Sequence, residues 1–130
     1  MIFRGAPDRR LAVTDYRKLF DLSGKTAVVL GAASGIGKSS AEALASLGAR
    51  VLCADRAAEG AEATAGLIRE QGGAAEAAVC DAADRAAVNA LASTVMQTFP
   101  RLDIAVTTPG LISARPSSIT PRRILIASSI

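Results

Sequence analysis

Seven residues, Gly31-Ala32-Ala33-Ser34-Gly35-Ile36-Gly37, join the apolar run Thr26 to Leu30 to a stretch of helical pattern that begins at Lys38. A pyrophosphate needs such a junction between strand and helix. Gly31 permits a tight turn out of the strand, Gly35 removes a side chain where a phosphate must approach the backbone, and Gly37 lets the helix pack closely on the sheet. The unpaired amides at the helix start then face the anion, and Ser34 can add a hydroxyl donor. A glycine-rich turn can also be only a turn, so the surrounding residues decide how much weight it bears.

Asp55 ends a second apolar run, Val51 to Ala54, eighteen residues after Gly37. That is close to the roughly 20-residue offset at which an acidic side chain meets an adenosine ribose. A carboxylate there accepts from the ribose hydroxyls and repels a 2′-phosphate, which favours NAD over NADP. Its bland alternative is a solvated loop acid. The neighbouring Arg56 could stack on adenine or attract a 2′-phosphate. Asp81, past a third apolar run, could accept from the adenine amino group, cap the following helix, or do both.

These residues are positioned by short apolar runs alternating with longer helical patterns, the sequence form of successive parallel strand-helix units. The spacing predicts strands at Thr26–Leu30, Val51–Ala54, Ala77–Cys80 and Ile104–Thr107 in a doubly wound parallel sheet. Helices are predicted after Gly37, over Ala57–Gln71 and from Asp84. The first would put Ile36, Ala43, Leu44 and Leu47 on its core side and end at Gly48. The third carries Val88, Leu91, Val95 and Phe99 at helical spacing and is stopped by Pro100. Residues 1–19 read as a loose leader, 20–110 as the binding domain and 111–130 as an atypical tail.

Composition excludes several functions. The chain has 130 residues, half of them hydrophobic, which is about one domain with a modest, Ala-rich core. Its formal charge of +3 resides wholly in Arg115, Arg122 and Arg123, because residues 1–110 balance twelve basic against twelve acidic side chains. No basic stripe interleaved with aromatics accompanies them, so nucleic acid is not an expected partner. The absence of histidine excludes the usual zinc and catalytic-dyad constellations. Cys53 and Cys80 read as small buried hydrophobes in a reducing cytoplasm. Neither a secretory signal nor a run of ~20 apolar residues is present, so a membrane partner is not expected.

The lead-in Phe20-Asp21-Leu22-Ser23-Gly24-Lys25, the glycines at 31, 35 and 37, Asp55, Asp81 and Leu102-Asp103-Ile104 together resemble the short-chain dehydrogenase/reductases over about residues 20–112. The resemblance implies a Rossmann-like sheet, truncated here after about four strands. It implies hydride transfer between a nicotinamide and a carbonyl or secondary alcohol in the full-length form. Gly31, Ser34, Gly35, Ile36 and Gly37 would line the pyrophosphate, Asp55 would hold the adenosine ribose, Asp81 and Ala82 would flank adenine, and Gly110 would lie near the nicotinamide ribose. The family is usually homo-oligomeric, but the helices through which it assembles are not in this chain.

Two stretches depart from the family pattern. Leu30 stands where Thr is usual, and Thr107-Thr108-Pro109-Gly110 stands for Asn-Asn-Ala-Gly, which removes two side-chain amides and one backbone donor. The family's active-site Tyr, with a Lys four residues later, has no counterpart: Tyr16 is the single tyrosine, and Phe20 follows it at that spacing. No catalytic residue is assigned, and no turnover is expected of this chain. A catalytically silent nucleotide-binding module that regulates or scaffolds a partner is the alternative. A methyltransferase-like domain is disfavoured by the pyrophosphate spacing of the glycines.

Codons compatible with residues 111–130 can spell, in another frame, Asn-Leu-Arg-Lys-Ala-Ile-Leu-Asp-Tyr-Thr-Glu-Lys-Asp-Phe-Asp-Arg-Val-Ile-Asn. That segment resembles the stretch after the fourth strand in the family. The tail is accordingly expected to be a frameshifted product of a longer gene. A fourth strand left as an open edge, with apolar faces beside it, is expected to bring marginal stability and association.

Overall fold

The computed structural model describes residues 15–108. Four parallel strands, β1 (Thr26–Leu30), β2 (Arg50–Asp55), β3 (Ala74–Val79) and β4 (Ile104–Thr107), form one sheet in the order β3-β2-β1-β4. The helices α1 (Gly35–Ser46), α2 (Ala58–Glu70) and α3 (Arg85–Thr98) make the three crossovers. This is the doubly wound, Rossmann-like sheet expected from the alternation of strand and helix patterns. β1 and β4 have the predicted bounds. β3 begins three residues before the predicted Ala77, because pairing with β2 (Arg50 opposite Ala74) recruits alanines with little strand preference of their own.

Both faces of β1 are covered, and all five of its residues are buried. On one face Ala27, Val29, Val51 and Cys53 pack with Ala41 and Ala45 of α1 and Ala65 and Ile68 of α2. On the other, Val28, Leu30, Leu52 and Ala54 meet Leu91 and Val95 of α3 and Phe99 beyond it, the stripe predicted for that helix. Cys53 and Cys80 are buried and free.

The predicted face of α1 is a correction. Gly37, Ala41 and Ala45 face the sheet, while Ala43, Leu47 and Ile36 are exposed and Leu44 is half-buried. The helix axis lies too close to the sheet for large side chains between them, so the core stripe is built from the smallest residues. Gly48, at φ +104°, ends the helix, with its amide donating to Ala45 O. Structure is seen at the boundary between the expected leader and the domain. Tyr16–Phe20 form a short 3-10 helix, capped by the Asp15 carboxylate and exposed throughout.

At the start of β1 the sheet is tied by Asp103. Its Oδ2 accepts from Thr26 N at 3.0 Å, and its own amide donates to Thr26 O at 3.1 Å. β4 pairs with β1 alone among the described residues. Beside it, on the α3 face, lies an apolar groove of about 240 Å³ lined by Val28, Leu30, Leu91, Met96, Leu102 and Val106.

Candidate nucleotide site

The strand order reverses between β1 and β4, and a ligand crevice belongs at the carboxyl ends of the strands at such a switch point. The Gly31–Gly37 loop leaves β1 there. Gly31 turns at φ +100°, a conformation open to glycine, and any side chain at this position would also strike the Thr108 carbonyl group. Thr108 follows β4 and donates its amide to Leu30 O at 2.8 Å, which holds the two strand ends together.

The loop amides divide into two sets. Those of Gly31 and Ala32 both donate to Ala54 O, at 2.8 and 3.0 Å, and that of Ala33 donates to Asp55 Oδ2 at 3.0 Å. All three are taken up by the end of β2. The amides of Ser34, Gly35, Ile36 and Gly37 have no acceptor among the described residues, and the Ser34 side chain, at the N-cap position, makes no capping bond. Four donors and a hydroxyl therefore stand at the positive end of a 12-residue helix. Space for an anion exists beside them, since a Cβ at Gly35 would meet nothing within 4 Å.

Gly37 explains why the helix starts so close to the sheet. A Cβ there would fall 2.6 Å from both the Gly31 carbonyl carbon and Thr108 Oγ1, and closer still to the Gly31 oxygen. Thr108 Oγ1 is itself buried without a partner among the described residues.

Asp55 ends β2, and its carboxylate is engaged at both oxygens, Oδ2 by Ala33 N and Oδ1 by Ala57 N at 2.9 Å. An ionised carboxylate keeps further lone pairs for a ligand hydroxyl. Asp81 and Ala82 lie past β3, next to Asp55, whose carbonyl accepts from Cys80 N. Both are exposed, as is Arg56. The helix cap considered for Asp81 belongs to Asp84, which accepts from Ala86 N, while Asp81 Oδ1 accepts from Ala83 N in the preceding turn. Gly31, Ser34, Gly35, Ile36, Gly37, Asp55, Asp81 and Ala82 thus share one edge of the sheet. Gly110 and the tail lie outside the described residues.

Compared with known proteins, residues 25–124 match the model of the short chain dehydrogenase family. The chain belongs to this family. It is 46% identical over 98 residues to the D-threitol dehydrogenase of Mycolicibacterium smegmatis, covering 75% of this chain and 38% of that protein. Dehydrogenase/reductase SDR family member 13 of Bos taurus is 44% identical over 99 residues, with 75% and 26% covered. The hydroxysteroid dehydrogenase of Escherichia coli superimposes with a TM-score of 0.65 at 35% identity, over 66% of this chain and 35% of that one. A Beutenbergia cavernae protein described as an NAD(P) dependent gluconate 5-dehydrogenase with bound NADP gives 0.61 at 42% identity, over 66% and 34%.

This family member spans about a third of the length of such relatives. The family match runs to residue 124, past residue 112 where the resemblance in the motifs ends. Tyr16 is 69% exposed. The segment that carries it runs to Leu22, whose amide bonds Leu47 O at the end of α1 remote from the loop. No helix among the described residues is long and apolar enough to cross a membrane.

Sequence reasoning singled out Thr108 only as a departure from the family pattern, not for its contact with the loop, and missed Thr64 altogether. Thr108 Oγ1 faces the Gly31–Gly37 contact, and Thr64 of α2 donates from Oγ1 to Ala32 O at 2.8 Å. Thr64 had a signal: it is the one polar residue on the buried stripe Ala61, Thr64, Ala65, Ile68.

Proposed function

We propose that this chain carries the dinucleotide-binding part of an oxidoreductase that moves a hydride between a nicotinamide and a carbonyl or secondary alcohol of a small molecule, with NAD preferred to NADP. The observation that carries the proposal is the division of the loop amides. Three are engaged by β2, and the next four, with the Ser34 hydroxyl, stand open at the start of α1. Ser34, Gly35, Ile36 and Gly37 would hold the pyrophosphate over the turn made by Gly31. Asp55 would accept from the adenosine ribose, Asp81 and Ala82 would flank adenine, and Gly110 would approach the nicotinamide ribose. When bound, the nicotinamide supplies the hydride chemistry.

The preference for NAD rests on charge. The Asp55 carboxylate is held in place by two amides at the ribose end of the site, and a 2′-phosphate beside it would meet like charge. The unit is residues 20–110, with 1–19 a leader and 111–130 a separate tail. The two buried, free cysteines fit a reducing compartment, and we place the protein in the cytoplasm.

A second reading, a nucleotide-binding module without turnover, is favoured by the place of Tyr16. The single tyrosine of the chain lies in a segment that meets the fold at the end of α1 away from the loop, so it offers no acid or base to a bound cofactor.

Calorimetric titration of the chain with NAD and NADP tests the proposal. NAD is expected to bind at least about tenfold more tightly, the value of one well-placed charged hydrogen bond, and Asp55→Asn is expected to narrow that ratio. Failure to bind either dinucleotide overturns the function, and equal affinities overturn the NAD preference. Cofactor reduction with any secondary alcohol overturns the silent-module reading.

A further inference from the structure

Thr64 lies on α2, away from the loop in sequence, and is 1% exposed. A hydroxyl so deeply buried needs a partner, and it has one: Oγ1 donates to Ala32 O at 2.8 Å. The next atom pair along the chain matters equally. Ala32 C=O and Ala33 N–H are the two polar ends of a single peptide group, and the Ala33 amide donates to Asp55 Oδ2 at 3.0 Å. This peptide plane is therefore gripped at both ends, by a helix hydroxyl on one side and a strand-end carboxylate on the other. Rotating it by half a turn would break both bonds, aim its carbonyl at a carboxylate, and bury the hydroxyl with no acceptor.

Packing closes the same clamp. A Cβ at Gly60, one turn before Thr64 on α2, would fall 2.5 Å from Ala33 Cβ, so the first turn of α2 lies directly against the loop. Immediately after the gripped peptide come the four open amides of Ser34, Gly35, Ile36 and Gly37. That plane is the last loop peptide before them held by bonds from α2 and β2.

We infer that Thr64 is a positioning residue for the anion site: through the Ala32 carbonyl it locks the Ala32–Ala33 peptide plane, and so holds the open amides of α1 in the orientation that receives a pyrophosphate. It touches no ligand itself. The inference rests on the cofactor reading above. It adds that the second helix, and not the glycine loop alone, fixes the geometry of the binding end.

The test compares Thr64→Val, which keeps the volume and removes the donor, with Thr64→Ser, which keeps the donor. ADP-ribose, which contains the pyrophosphate, and adenosine, which lacks it, are titrated into the full chain and both variants by NMR and calorimetry. Thr64→Val is expected to weaken ADP-ribose by about tenfold, the effect of one buried hydrogen bond, with adenosine within about twofold of wild type. Thr64→Ser is expected to stay within about threefold for both ligands. Exchange of the Ala33 amide with solvent is expected to accelerate in Thr64→Val alone.

Equal losses in the Val and Ser variants, parallel losses of adenosine and ADP-ribose, or unchanged ADP-ribose affinity in Thr64→Val would each overturn the positioning role while leaving the cofactor reading intact. Absence of ADP-ribose binding by the wild-type chain would instead remove the cofactor reading, and the positioning role with it.

Discussion

Gly37 and Gly66 are both helical glycines, and replacing each by alanine should move stability in opposite directions. In an exposed helix interior the change from glycine to alanine gains about 1 kcal/mol, because the backbone loses less freedom on folding. At Gly66 nothing offsets that gain, since the added Cβ would meet only Arg69 Nη2, at 3.9 Å. At Gly37 the Cβ would stand 2.6 Å from the Gly31 carbonyl carbon and from Thr108 Oγ1, against the 3.4 Å at which ordinary contact begins. The difference, 3.4 − 2.6, is at least 0.8 Å that these atoms must yield, and the Gly31 carbonyl oxygen, closer still, must yield more. Overpacking of this kind costs about 1–3 kcal/mol, and Gly37 sits in the first turn of α1, where the helical gain is smallest.

The two variants are therefore expected to differ by about 2–4 kcal/mol, with Gly66→Ala above wild type and Gly37→Ala below it. For a folded unit of the size described, residues 15–108, each kcal/mol shifts the melting temperature by roughly 4–8 °C. Thermal unfolding followed by circular dichroism should then separate the variants by about 8–32 °C. Gly37→Ala should also lose NAD affinity, because the displaced atoms belong to the loop. A Gly37→Ala chain that melts at or above wild type would refute the close approach of α1 to β1. So would a pair of variants that shift in the same direction by the same amount.

The Arg101 side chain and the Thr26 amide hold the Asp103 carboxyl below the 3.8 ordinary for aspartate. A carboxyl lowered in the folded state stabilises the fold above its unfolded value and loses that contribution as pH falls through the folded one. Asp103→Asn should accordingly flatten the decline in melting temperature below about pH 4, while Asp21, lowered by the Ser23 hydroxyl and amide, keeps a residual slope; an unchanged acid limb would contradict the tie. Burial pushes the Cys53 thiol up to about 11, so iodoacetamide at pH 8 should leave it unmodified in the native chain and alkylate it in urea, as read by peptide mass spectrometry. Sequencing the coding DNA downstream in all three frames should reveal a frame that continues past residue 111 into a Tyr-x-x-x-Lys segment. A downstream frame without one would remove the frameshift explanation of the tail.

β1 and β4 were legible in the sequence to the residue because their information is local: runs of β-branched and apolar side chains bounded by Gly24 and Lys25, by Gly31, or by Asp103. β3 was read short because its first residues, Ala74, Ala75 and Glu76, are held in the sheet by β2, and no local preference announces that pairing. The face of α1 failed for a related reason. A search for large apolar residues at helical spacing assumes that a helix stands about a side chain away from its sheet. Here Gly31 and Gly37 remove that distance, and alanine takes the place of leucine. The turn and the open amides of the glycine loop were legible because three glycines at fixed spacing state a backbone geometry directly. Thr64 was not, since a lone polar residue in an alanine stripe acquires meaning only when the carbonyl it meets is known.

The residues that shape the binding end are concentrated in the first two strand-helix units. β1 delivers the loop, β2 engages three of its amides through Ala54 and Asp55, and α2 holds the Ala32 carbonyl through Thr64. Among the described residues past β4, Thr108 contributes one wall beside Gly31 and Gly37 and an amide that holds Leu30 O. The face carrying α1 and α2 closes around this arrangement, whereas the α3 face leaves the groove beside β4 open, with Met96 exposed on its rim. The physical demands of the two sides differ accordingly. Recognition of a dinucleotide depends on peptide planes fixed to within a hydrogen bond, and those bonds lie between residues 30 and 64. The proposed hydride transfer would additionally require an acid or base at the nicotinamide, and no tyrosine of this chain lies among the residues that line the loop. Affinity for the proposed cofactor is thus a matter of contacts within the two adjacent units β1–α1 and β2–α2, and does not depend on an acid or base being present.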